Sequence, residues 1–82
     1  MNQTAARLDP LPNEFVLLAK SDIIASDAPR RIVLGAREGS RGTEFVTWMR
    51  REDDGSCHWG HYDFPNLWEA LADFHARVKR GY

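Results

Sequence analysis

The chain has 82 residues, 43% of them hydrophobic and 28% charged, with a formal net charge of −1 and a single cysteine, Cys57. A domain of about this size buries roughly 60% of its unfolded surface, so its core is thin. Composition excludes wholesale disorder, the lone cysteine excludes an intramolecular disulfide and points to a reducing, cytoplasmic setting, and apolar runs of only a few residues exclude a membrane span.

Met1 to Asn13 carries Pro10 and Pro12, no periodic apolar pattern, and no signal- or transit-peptide pattern, and is expected to be a flexible lead-in to a single domain over 14–82. Glu14 to Ile24 holds the apolar run Phe15 to Ala19, too short for periodicity to separate strand from helix, and a strand is the preferred reading. Ser26-Asp27-Ala28-Pro29 is turn chemistry, and Pro29 biases Ala28 away from helical geometry. Arg30 to Arg37 alternates Ile32, Leu34 and Ala36 with Val33 and Gly35, as a strand does, and its interior glycine suggests a bulge or the close approach of another element.

Glu38 to Gly42 reads as a hairpin loop, Thr43 to Arg51 as a second strand, and Ser56 to Asp63 as a third beyond the turn Asp53-Asp54-Gly55. Pro65 ends the sheet. Asn66 is a good N-cap with Glu69 as its capping-box partner, and Leu67, Leu71, Phe74 and Val78 form one helical stripe. Gly81 is a C-terminal stop, and Arg77, Lys79 and Arg80 complement the helix dipole. The expected fold is therefore α+β: an antiparallel meander of three to four strands packed against one C-terminal helix.

The register of the second hairpin stays open. A two-residue turn at Asp54-Gly55 sets Trp48 opposite His61 and puts Val46, Trp48, Arg50, Trp59 and His61 on one face, whereas a three-residue loop slips the pairing by one. Trp48 then shares a face with Tyr62 and Phe64, and Trp59 with Phe45 and Met49. In either register both faces carry large side chains while one helix covers only one. The N-terminal apolar segment is expected to cover the other or to extend the sheet; otherwise an aromatic and arginine surface is left for a partner.

Charge is uneven along the chain: residues 29–51 sum to +4 and residues 52–64 to −4. Solvated strand edges and loop tips account for such a distribution. Arg30, Arg31, Arg37, Arg41, Arg50 and Arg51 offer phosphate contacts for weak single-stranded nucleic-acid binding, held in check by the acidic Glu52 to Asp54 turn and the negative net charge. Cys57, His61 and His75 invite a metal or nucleophile reading. Zinc requires four closed ligands in spacings this chain lacks, and Cys57, His61 and Asp63 are too far apart along a strand to act on one another. The glycines match no phosphate-binding fingerprint. No cofactor is expected. The favoured expectation is a non-enzymatic interaction module that binds a protein partner or a second copy through Trp48, Arg50, Trp59, His61 and Tyr62, or by strand addition to a sheet edge.

Overall fold

Strand-forming segments and turn chemistry alternate along residues 11–24 and 27–82, which the computed structural model describes, and give four strands followed by one helix. Strands β1 (Val16–Lys20), β2 (Arg30–Gly39), β3 (Gly42–Arg51) and β4 (Cys57–His61) pair antiparallel in chain order, and α1 (Leu67–Arg80) follows. The α+β meander read from the sequence is the observed fold, with the Phe15 to Ala19 run forming a strand over most of its length. Residues 1–10 of the expected lead-in, and positions 25 and 26 at the expected turn, lie outside the described residues. Leu11 is buried in the core, and a short 3-10 turn at Pro12–Glu14 leads into β1.

The β2–β3 ladder runs without interruption from Gly39 opposite Gly42 to Arg30 opposite Arg51, so both strands extend into the expected loop and leave Ser40 and Arg41 as a two-residue turn. At the next connection neither expected register forms at the turn. Arg51 N–H donates to Ser56 O at 2.9 Å, so Glu52 to Gly55 make a four-residue loop, with Gly55 at φ +75 donating back to Arg51 O at 2.9 Å. Arg50 then faces Cys57 and Met49 faces His58, but Thr47 faces His61, so Trp59 and Gly60 together oppose Trp48. This bulge restores at His61 the pairing that a three-residue loop would have given.

The sheet has two covered faces. On one, Ile32, Leu34 and Met49 pack against Ala70 and Phe74 of α1, bordered by Phe45, Phe64, Leu67, Leu71 and Val78. On the other, Val33, Val46 and Trp48 pack beneath Leu11 and Phe15. Each fully buried side chain of this kind stabilises the fold by about 1.5–3 kcal/mol. The N-terminal segment thus does both things expected of it: it adds a strand and covers the second face. Gly35 is what allows the cover to close. A Cβ there would sit 2.7 Å from Leu11 Cδ1 and 3.3 Å from Phe15 Cβ.

The helix begins and ends as its sequence specifies. Asn66 accepts from Glu69 N–H at 3.0 Å, and Gly81, at φ +96, donates its N–H to Arg77 O at 2.7 Å.

Candidate functional site

Two of the five residues expected on an open partner face are interior. Trp48 is 4% exposed, edge-on to Phe15 and Tyr62, with its indole Nε1 donating to Tyr62 OH at 3.2 Å. Arg50 is 5% exposed and lies 3.5 Å from Glu52, whose other oxygen stands 3.1 Å from Arg31 Nε. Trp48 owes its burial to the cover on this face, where Leu11 and Phe15 close over it. Tyr62, exposed for about half its surface, lies on that same face as the outer partner of Trp48.

His61 points the other way, into a polar network between sheet and helix. Its Nδ1 is 2.9 Å from Asp73 Oδ2, the same oxygen that accepts from Thr47 Oγ1 at 2.6 Å. Arg77, 1% exposed, donates through Nη1 to Thr47 O at 3.1 Å and to Thr47 Oγ1 at 3.0 Å, while its Nε finds no partner among the described residues. Burial opposes ionisation of Asp73, but the bonds from Thr47 and His61 and the nearby Arg77 outweigh it and hold the carboxyl below its ordinary pKa. Burial lowers the pKa of Arg77, with the Asp73 charge acting against that. Arg77 therefore does more than complement the helix dipole, because it ties α1 to β3.

Trp59 is the most open of the expected site residues, with 63% of its surface exposed against 50% for Tyr62. The bulge gives it φ +56, and it projects on the Met49 face, beyond the helix end. Gly81 turns the chain there, and Arg30 Nε donates to Gly81 O at 2.7 Å, which holds the last turn against β2. Tyr82 thereby stands edge-on to Trp59, ring centroids 6.1 Å apart, with the Arg80 guanidinium 4.8 Å above the tyrosine ring. The two rings wall a cleft of about 540 Å³ with Met49 and Ala28 as apolar lining and Arg30, Arg51 and His58 as polar lining. Arg51 is held by Asp53 at 2.7 and 3.2 Å, an exposed pair that raises the arginine pKa and lowers that of the carboxyl. Met49 joins Trp59 on the face that the slipped register gives it, whereas Tyr82 and His58 are not among the residues expected at a contact. The signal that could have found part of the site is the hairpin turn: closing it over Ser40-Arg41 alone sets Arg30 opposite Arg51.

The six arginines do not form one track. Arg30 and Arg51 border the cleft. Arg31 and Arg50 face Glu52 on the opposite side, Arg37 bonds Glu44 at 2.7 Å and lies over the Phe15 ring, and Arg41 sits in the exposed hairpin turn.

Among the described residues no group of three or more His, Cys, Asp or Glu side chains could hold a metal ion. His61 is engaged by Asp73, and His75 is exposed with its ring against Phe74. Burial raises the Cys57 thiol above its ordinary pKa, with Arg50 opposing, so the thiolate is scarce at neutral pH. Ser56 Oγ does lie 2.8 Å from His58 Nε2, but it donates to Asp54 Oδ1 at 2.7 Å. The carboxylate thus sits on the hydroxyl and not on the imidazole, the reverse of a nucleophile relay.

The fold defines an α+β meander of four strands capped by one helix, and no described helix is long and apolar enough to cross a membrane. Comparison with protein-family models, curated proteins and solved structures yields no match.

Proposed function

We propose that this chain is a non-enzymatic protein-interaction module whose contact is the Trp59–Tyr82 cleft. The observation that carries the reading is Trp59 itself, a large aromatic side chain held 63% exposed on left-handed backbone at the wall of an apolar cleft. Left-handed backbone at a bulky residue is disfavoured by about 1–3 kcal/mol, and such strain gathers at binding sites. Trp, Tyr and Arg are also the residues that dominate interface hot spots. The cleft's apolar lining suits a large apolar anchor residue of the partner, and Arg30, Arg51 and Arg80 around it suit a carboxylate beside that anchor. A free thiol at Cys57 fits action in a reducing compartment such as the cytoplasm.

The test is selection of displayed peptides on the immobilised protein. Selected peptides are expected to share a large apolar residue beside an acidic one, and to bind Trp59→Asn at least about tenfold more weakly while binding Trp68→Ala as they bind wild type. Equal binding to Trp59→Asn, or a selection that yields no peptide, removes the reading.

A second reading has one specific observation in its favour. Arg30 and Arg51 face each other across β2 and β3 beside two aromatic rings, an arrangement able to hold a phosphate next to a stacked base. Gel retardation of single-stranded DNA or RNA at low salt, abolished in Trp59→Asn, is the result expected of it.

A further inference from the structure

β3 has ten residues and β4 five, and the mismatch leaves half of one strand edge open. β4 pairs with β3 only between Thr47 and Arg50. Because the first hairpin closes at Gly39 and Gly42, the even-numbered residues of β3 turn their N–H and C=O toward β2 and the odd-numbered ones turn theirs the other way. Thr47 and Met49 meet β4 on that side, and Arg51 N–H meets Ser56 O. Among the described residues no strand meets Thr43 and Phe45 there. Asp63, at φ +66, turns the chain away after β4, and Phe64 packs into the cluster beneath the helix.

Between this edge and the departing Tyr62 to Pro65 segment lies a groove of about 910 Å³. Its two sides differ. Phe45, Phe64 and Pro65 give an apolar side continuous with the helix-covered core, and the Arg37–Glu44 ion pair with Tyr62 gives a polar one. The outer strands β1 and β4 are each short and interrupted by an irregularity, features that discourage pairing with another chain. The Thr43 to Val46 stretch of β3 keeps regular pairing with β2 and has no such interruption.

We propose that this open half of β3 is a strand-addition site for an extended segment of a partner protein. The segment pairs its main chain with Thr43 and Phe45 and alternates its side chains, apolar ones toward Phe45 and Phe64, polar ones toward Arg37 and Glu44. The site is separate from the Trp59–Tyr82 cleft and does not depend on what that cleft binds.

Residue-resolved hydrogen exchange on the full chain tests it, with a short peptide of alternating valine and threonine as probe and, as control, the same peptide N-methylated at the positions that face the edge. In the free protein the amides of Thr43 and Phe45 are expected to exchange faster than those of Thr47 and Met49. The probe is expected to slow both, the N-methylated copy to bind at least about tenfold more weakly, and Trp59→Asn to bind the probe as wild type does. The proposal is overturned if Thr43 and Phe45 are already as protected as Thr47, if both peptides bind equally, if no binding occurs at millimolar peptide, or if Trp59→Asn abolishes it.

Discussion

Trp59 shows how much one backbone angle can reveal. At φ +56 it occupies a region that asparagine enters far more readily than a bulky aromatic residue. Its ring contacts Tyr82 but remains largely in solvent, so little packing compensates for the strain. Trp59→Asn is therefore expected to leave the urea midpoint unchanged or to raise it, by about 0–1 kcal/mol in stability, while weakening peptide capture. A loss of more than about 2 kcal/mol would make Trp59 a structural residue and sink the argument from strain. Arg77 teaches the opposite lesson. Its charge and position near the helix end suggested a solvated dipole partner, yet it lies on the inner face, three residues after Phe74 and four after Asp73, with only 1% of its surface exposed. The i,i+4 spacing of Asp73 and Arg77 flanking a buried Phe74 was the signal for a buried network.

At the scale of elements, local chemistry was legible and the meeting of elements was not. Asn66 and Gly81 cap the helix as read, and the first hairpin turns where its glycines allow. The second hairpin could not be read, because its register depends on two deviations, a four-residue loop and a one-residue bulge, whose effects combine only over the whole strand pair. The burial of Trp48 was legible only in part: Phe15 belongs to the apolar segment expected to cover the second face, whereas Leu11 lies in a segment with no periodic signal. Gly35 was the one residue that announced this meeting. Gly35→Ala is expected to destabilise by about 1 kcal/mol, because Leu11 Cδ1 and Phe15 Cβ occupy the space a methyl would need. The same change should cost less in a Leu11→Ala background, where the nearer contact is gone. Equal costs in the two backgrounds, measured by urea unfolding, would show that the cover does not press on Gly35.

For the whole molecule, a sheet covered on both faces makes the small core cooperative, and the Thr47–Asp73–Arg77–His61 network links strand pairs to helix at its centre. Asp73 carries a pH dependence with a definite direction. Its pKa is lower in the folded chain than in the unfolded one, so its contribution is complete above the unfolded carboxylate value and disappears as pH falls through the folded value. Asp73→Asn is thus expected to be less stable than wild type by about 1–3 kcal/mol at neutral pH, and the gap should narrow below about pH 4. Asp53 and Asp54, also lowered, are present in both proteins and cancel in the comparison. Denaturant titrations at neutral and acid pH that show a constant gap would assign the network no electrostatic role.

The bulge at β4 has a consequence for how the chain could be shortened. His58 already faces Met49 and His61 already faces Thr47, so between these pairs only one residue is required to oppose Trp48. Gly60 can fill that place, because its missing Cβ lets the Trp48 indole and the Tyr62 ring close over it. Trp59 is therefore supernumerary to the ladder, and excising it should yield an 81-residue protein with a regular β4, unchanged far-ultraviolet circular dichroism and no aromatic wall on the cleft. A deletion variant that failed to fold would mean that the sheet itself needs the extra residue. One that folds would separate scaffold from contact at a single codon.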